Sequence, residues 1–267
     1  MLSVCATPIG NLEDVTLRVL NELREADVVL CEDTRRTRFL LTNHGIEATL
    51  VSYHEHNEAS RTAEVLPRLL AGERFALVSD AGLPGISDPG ARLIAAALEA
   101  GVPLTVLPGP SAVDTALVAS GLISERYQFV GFLPRGEAAL TSLWSELAGW
   151  RWPVVAFESP QRLPRTLRSL AAVQPERKVA VCRELTKRYE EVVRGTAEEV
   201  SARFAEPPRG EIVLVLGAAE AVGLADEHAA AEAVAELVRA GLGRRQAAEL
   251  VARLTGASRN VLFERSL

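Results

Sequence analysis

Over most of this chain, short runs of β character alternate with segments whose apolar residues recur at helical spacing, and that alternation restricts it to an α/β architecture. The first half has strands expected at residues 2–6, 28–31, 49–52, 75–78 and 104–107. In the second half, where the spacing is less regular, they are expected at 128–132, 154–157, 179–182, 191–194 and 212–216. Helices are expected at 16–25, with Leu17, Leu20 and Leu23 on its apolar side, then at 59–71 and 91–100. From Glu227 onward strand signals stop. Three short helical segments follow, broken by Gly241-Leu242-Gly243 and Thr255-Gly256-Ala257, an order that resembles a small helix-turn-helix unit. With 267 residues and a soft prior of ~150 per domain, about two domains are expected. The division falls near 111–124: an N-terminal α/β domain over 1–115, a second over 116–220, and a helical tail over 226–267.

Composition narrows the class. Hydrophobic residues make up 48% and charged residues 24%, enough for a real core and unlike a disordered chain. The net charge of −6 provides no global attraction to nucleic acid, but charge is uneven. Residues 151–188 carry nine Lys and Arg against three Glu, and residues 239–267 carry six Arg against two Glu. Such stretches suit solvated faces or a basic surface for RNA, and charge alone leaves both open. Cys5, Cys31 and Cys182 stand far apart in apolar runs, so buried thiols are expected rather than disulfides or a zinc knuckle. No basic region followed by an apolar stretch opens the sequence, and no apolar run is long enough to cross a bilayer. A soluble cytoplasmic protein without membrane contact is expected.

In an open α/β sheet, ligands bind outside the carboxyl ends of the strands. Four loops rich in functional groups fall at such ends: 7–11, 32–35, 79–90 and 108–111. Each taken singly is also explained by turn and cap chemistry, but four at one edge point to one cleft. A GxxxxGK[ST] loop and a GxGxxG turn are both missing, which argues against a P-loop enzyme and an ordinary dinucleotide-binding dehydrogenase. Glycines here accompany prolines in rigid turns, which suit a neutral or zwitterionic ligand better than a polyphosphate. In His54-Glu55-His56-Asn57-Glu58, an extended backbone would turn both histidines one way. No Cys or third His completes a ligand set, so a polar, substrate-facing strand end is expected and a metal is not. His44 and His228 are expected at the surface. Arg183-Glu184-Leu185-Thr186-Lys187 follows a strand and reads equally as a charged turn or as part of a site.

These loops occur in one order with further segments: Thr7-Pro8-Ile9-Gly10-Asn11-Leu12, Glu32-Asp33-Thr34-Arg35, the His-Glu-His-Asn-Glu stretch, Ser79-Asp80-Ala81-Gly82, Ile86-Ser87-Asp88-Pro89-Gly90, Pro108-Gly109-Pro110-Ser111-Ala112 and Gly131-Phe132-Leu133-Pro134. Glu158-Ser159-Pro160-Gln161-Arg162, Arg183 to Lys187, Arg209-Gly210-Glu211 and the tail's Thr255-Gly256 with Ser258-Arg259-Asn260 follow. The ordered set closely resembles the bacterial ribosomal RNA small subunit methyltransferase I family, of the tetrapyrrole methylase superfamily, across essentially the whole chain. That resemblance implies two α/β domains with S-adenosylmethionine in the cleft between them, a C-terminal helical extension, and a homodimer. It also implies methylation of the ribose 2′-hydroxyl of a cytidine in the decoding region of 16S rRNA, within the small ribosomal subunit. One departure is Leu83, where the family usually has Thr after Asp-Ala-Gly. Carried over by motif, Asp80, Ala81, Gly82, Leu83, Ser111, Ala112, Leu133 and Ile212 are expected at the cofactor. Asn11, Glu32, Asp33, Arg35, His54, Glu55, Glu184 and Lys187 are expected on the substrate side.

A ribose hydroxyl is a weak nucleophile at neutral pH, so a base or a nearby cation should assist it. Glu184 or Glu32 is the expected proton acceptor, with Lys187 or Arg35 orienting the ribose or its phosphate. Arg244, Arg245 and Arg259 are expected phosphate contacts, unless the tail serves dimerisation or packing. Two rivals remain at the level of sequence: a methyltransferase of the same fold acting on a tetrapyrrole or other small molecule, and a noncatalytic RNA-binding adaptor.

Overall fold

A computed structural model describes residues 1–219, 227–255, 257 and 259–266, the side chains of 227 and 228 excepted. Gly256 and Ser258 of the tail motif, and the His228 side chain, lie outside the described residues. The first half alternates β1 (Leu2–Cys5), α1 (Leu17–Glu25), β2 (Val28–Cys31), α2 (Thr34–Asn43), β3 (Leu50–Ser52), α3 (Glu58–Leu70), β4 (Phe75–Val78), α4 (Ala91–Glu99) and β5 (Leu104–Leu107). Its five strands are all parallel, in the order β3-β2-β4-β1-β5. β1, β2 and β4 are buried at every position, as continuous apolar strands covered by helices on both faces should be. Two apolar clusters fill the two faces, one around Val19, Leu23, Val29 and Ala76, the other around Leu30, Tyr53, Phe75 and Leu93.

Helix α1 departs from expectation on one residue. Val19, Leu20 and Leu23 face the core, and Leu17, its first residue, is 79% exposed. The Thr16 side chain caps the helix by accepting the Val19 N–H, which places Leu17 on the outer side of the first turn.

The second half comprises α5 (Ala112–Ser120), β6 (Gln128–Phe132), α6 (Glu137–Leu147), β7 (Val154–Glu158), α7 (Leu163–Val173), β8 (Lys178–Arg183), β9 (Glu191–Thr196), α8 (Ala197–Arg203) and β10 (Ile212–Leu216). The strand order is β6-β7-β10-β8-β9; β6 runs parallel to β7, and the other neighbours are antiparallel. Trp144, Leu163, Leu167, Val181 and Leu214 centre the cluster on one face. On the other face lies α5, with Val113, Ala116 and Leu117 packed among Val155, Ala180, Cys182 and Val213. Position 115 therefore lies inside a helix that packs on the second sheet, and the chain passes from the first sheet to the second over 108–111.

The tail forms α9 (Glu227–Arg239), α10 (Arg244–Thr255) and α11 (Arg259–Arg265). Val234, Ala247, Ala248, Val251 and Leu262 give it an apolar cluster of its own. Among the described residues, no helix is long and apolar enough to cross a membrane.

Candidate active site

In the first sheet the chain leaves β1 toward β2 on one side and leaves β4 toward β5 on the other, so β1 and β4 flank the switch point. A crevice should open at their carboxyl ends. The loops there are bonded to one another. The Thr7 N–H donates to the Gly82 carbonyl at 2.9 Å, and the Gly82 N–H donates back to Thr7 at 3.1 Å. Thr7 Oγ1 donates to the Ser79 carbonyl at 3.0 Å, and the Asp33 N–H donates to Asp80 Oδ1 at 3.0 Å. The ends of β1, β2 and β4 thus hold one rigid rim.

From this rim a cleft of about 560 Å³ extends to the second sheet. Because β10 runs opposite to β7 and β8, Ile212 pairs with Glu158 and Arg183, so the start of β10 meets the ends of the other two. Asp80, Ala81, Gly82, Leu83, Ser111, Ala112 and Ile212 all line the cleft. Leu133 does not. Its side chain is buried in the second core, its N–H donates to Phe157 at 3.1 Å, and its carbonyl accepts from Arg162 at 2.6 Å. The preceding residue, Phe132, lines the cleft instead, with 63% of its surface exposed.

Five acidic residues line this cleft, Glu32, Asp80, Asp88, Glu158 and Glu211, against one guanidinium, Arg36, and of these the Glu158 carboxylate is fully buried. Glu158 is neutralised from outside by Arg162 at 2.8 Å. Burial, then the charge of Glu32, pushes the Asp88 carboxyl up to about 6, against a hydrogen bond from Ser79. Burial and the charge of Asp80 likewise raise Glu32. Such a cleft repels a polyphosphate and suits a ligand with net positive charge. S-adenosylmethionine meets that condition through its sulfonium and ammonium groups, and Ile9, Leu83, Ala112, Val113 and Ile212 offer an apolar wall for an adenine. The residues fit that cofactor.

A second cavity of about 590 Å³ adjoins the cleft, and Ile9, Arg36, Asp80, Ala81 and Glu211 line both. Asp33, Arg35 and Lys187 line this one. Asp33 caps α2, accepting from the Arg35 N–H at 2.8 Å and from its guanidinium at 3.1 and 2.8 Å; those bonds hold its carboxyl well below the usual carboxylate range. Lys187 Nζ lies 2.9 Å from both Glu184 Oε1 and Glu211 Oε2. Burial alone would lower its pKa, but the two carboxylates raise it, so Lys187 stays charged.

Glu184 itself lines neither cavity. Burial works against its charge, yet the Glu211 N–H and Lys187 hold its carboxyl below the ordinary value. A carboxylate so satisfied is a poor proton acceptor, which favours Glu32 over Glu184 as the expected base.

The 184–187 loop also clasps the first half. The Asn11 N–H donates to Thr186 Oγ1 at 3.0 Å. A Cβ on Gly10 would meet Lys187 Cγ at 2.5 Å and the Leu185 carbonyl at 2.8 Å. The Asn11 side chain, exposed, caps a 3-10 turn at Leu12–Asp14 and lines neither cavity.

His54 and Glu55 are likewise outside both cavities, and their segment is not extended. The His54 carbonyl accepts the N–H groups of Asn57 and Glu58, so the stretch is a turn leading into α3. Asn57 Nδ2 lies 3.2 Å from His54 Nε2, and the two histidine rings meet edge-on at 6.0 Å. Among the described residues, no group of three or more His, Cys, Asp and Glu is placed to hold a metal. In the tail, Arg245 and Arg259 are exposed, but Arg244 is half-buried, stacked 4.6 Å over the Phe263 ring and bonded to the Phe263 carbonyl. It joins α10 to α11.

The model of the tetrapyrrole (corrin/porphyrin) methylases matches residues 1–201. Over 266 residues the chain is 44% identical to the ribosomal RNA small subunit methyltransferase I of Micromonospora olivasterospora, covering 98% of this chain and 85% of that one. The chain belongs to the ribosomal RNA small subunit methyltransferase I family. Members from Mesorhizobium japonicum and Synechocystis sp. are 41% and 40% identical, each covering 100% of this chain and 91% and 97% of their own. Among solved structures, the methyltransferase CobJ shares the fold with a TM-score of 0.62 at 20% identity, over 82% of this chain and 94% of its own. A uroporphyrin-III C-methyltransferase from Thermus thermophilus, complexed with S-adenosyl homocysteine, gives 0.57 at 19%, over 81% and 96%.

In this family member, sequence reasoning overlooked Asp88, Phe132, Arg36 and Phe39 as lining residues. Asp88 and Phe132 stand inside two of the ordered motifs, beside residues with the more evident functional signal. Arg36 and Phe39 had a readable signal, since they lie one and four residues beyond Arg35 on a helix that begins at Thr34.

Proposed function

We propose that this chain transfers the methyl group of S-adenosylmethionine to the ribose 2′-hydroxyl of a cytidine in the decoding region of 16S rRNA. It acts as a homodimer on the small ribosomal subunit, in the cytoplasm where that substrate resides. The observation that carries the reading is the acidic, apolar-walled cleft at the switch point, adjoined by a cavity bearing Arg35, Arg36 and Lys187. The first region suits a cationic cofactor; in the second, Arg35, Arg36 and Lys187 balance Asp33, Asp80 and Glu211, which removes the net repulsion of a phosphate-bearing acceptor.

When bound, S-adenosylmethionine supplies a methyl group already activated on sulfur. Transfer is an in-line displacement, and holding the hydroxyl opposite the sulfur can contribute several kcal/mol. Asp80 to Leu83, Ser111, Ala112 and Ile212 orient the cofactor. Glu32 stands on the cleft wall and takes the hydroxyl proton; burial and its acidic neighbours make it a stronger base than a free carboxylate. Glu184 positions Lys187, and Lys187 with Arg35 holds the ribose or its phosphate. Transfer of labelled methyl to small subunits lacking the modification tests this. Label in the subunit RNA is expected; label only in small tetrapyrrole acceptors contradicts the reading.

A further inference from the structure

Helix α2 presents two arginines and an aromatic ring to the cavity beside the cleft. Phe39 stands four residues beyond Arg35 and three beyond Arg36, hence on the same side of the helix as both. Leu40 and Leu41 anchor α2 to the core, while Phe39 is 63% exposed and lines the cavity with Arg35 and Arg36. An isolated exposed apolar residue needs no explanation. A phenyl ring sharing a cavity wall with two arginines does, because that combination serves unpaired nucleic acid: the ring takes a base face, the cations take the phosphates.

Two further features point the same way. The Arg35 guanidinium is held on one edge by Asp33, through Nε and Nη2, while its side chain is 90% exposed, so Nη1 takes no part in that pair and remains available to a phosphate. Arg36 lines both cavities and lies 3.5 Å from Asp80, so a strand held there passes directly to the cleft. A ribose hydroxyl can enter such a cleft only from a strand splayed out of a helix, so the neighbouring nucleotide also arrives unpaired and must be held.

We propose that this cavity is a subsite for an unpaired RNA nucleotide adjacent to the target, its base stacked on Phe39 and its phosphates contacted by Arg35 and Arg36. The inference rests on the RNA-methylating reading above. Its volume of about 590 Å³ falls within the ~300–1,000 Å³ usual for small-ligand sites.

The test compares the wild type with Phe39→Ala and Phe39→Trp, reading KM for small subunits, kcat, cofactor Kd by calorimetry, and oligomeric state by light scattering. Phe39→Ala is expected to raise KM about tenfold, with cofactor Kd and oligomeric state unchanged, and Phe39→Trp to restore it. An unchanged KM in Phe39→Ala, failure of tryptophan to restore it, or a parallel loss of cofactor affinity overturns the proposal. A changed oligomeric state also overturns it and assigns the face to a second copy of the chain. A wild type that transfers no methyl to subunits overturns the functional reading, and the subsite with it; an active wild type with an indifferent Phe39→Ala overturns the subsite alone.

Discussion

Lys187 Nζ lies 2.9 Å from Glu184 Oε1, and the same oxygen accepts the Glu211 N–H at 3.0 Å. On the proposed function, Glu184 is a bracket that holds Lys187 at the second cavity, and Glu32 is the proton acceptor. Glu184→Gln should raise KM for small subunits about three- to tenfold, with kcat and cofactor Kd within about twofold of wild type. A collapse of kcat at unchanged KM would restore Glu184 as the base.

Glu32 carries the opposite expectation. Its pKa is raised, so its basic form is lost on acidification at a higher pH than an ordinary carboxylate's. Turnover in the wild type should therefore fall on that acid limb. Glu32→Gln should lower kcat about 100-fold or more, abolish the limb, and leave cofactor Kd unchanged. Profiles of kcat against pH from 5 to 9, taken at saturating cofactor so that Asp88 does not contribute, check this; a retained limb in the variant would place the base elsewhere.

Asp88 makes a prediction about stability. Its carboxyl is pushed from 3.8 up to about 6 in the folded chain, so the contribution of its protonated form is complete below about 3.8 and is lost as pH climbs through about 6. Asp88→Asn should stabilise the protein by about 1 kcal/mol at pH 7, allowing for solvent screening, and by nothing below pH 4. Denaturant unfolding at the two pH values measures it. Cofactor affinity, aided by the ionised carboxylate, should rise through pH 6 in the wild type and stay flat in the variant.

Two glycines leave no room at the clasp. A Cβ on Gly10 would stand 2.5 Å from Lys187 Cγ, and one on Gly210, at φ +97°, 2.4 Å from Glu184 Cγ. Either alanine variant should cost about 1–3 kcal/mol in urea unfolding and raise KM for subunits more than cofactor Kd. Glu184 and Thr186 already hold left-handed backbones at φ 53° and 64°, so the loop has little freedom to yield.

The tail packs on its own cluster, with Arg245 and Arg259 exposed. Deleting residues 227–267 should weaken RNA binding, read by filter retention at two salt concentrations, more than cofactor binding. Equal loss of both would favour a packing role.

Strand positions were legible because each β run is a short apolar block beside turn residues; all ten expected strands are present within a residue or two at their ends. The strand-end loops did converge, and seven of eight expected cofactor residues meet in one cleft. What the sequence could not convey was which way a residue turns once its strand ends, which separated Phe132 from Leu133. Nor could it distinguish an extended His54–His56 segment from the turn closed by Asn57. Glu184 reads as reactive in sequence and is quenched in space, because its partner Glu211 lies 27 residues away.

The central claim is that the acceptor is a ribose hydroxyl. The most direct measurement is nucleoside analysis, by mass spectrometry, of 16S rRNA from small subunits incubated with the protein and methyl-labelled S-adenosylmethionine. The account predicts label in a single 2′-O-methylcytidine of the decoding region, lost in Glu32→Gln. Label on a base, or none in RNA while the cofactor binds normally, would contradict it.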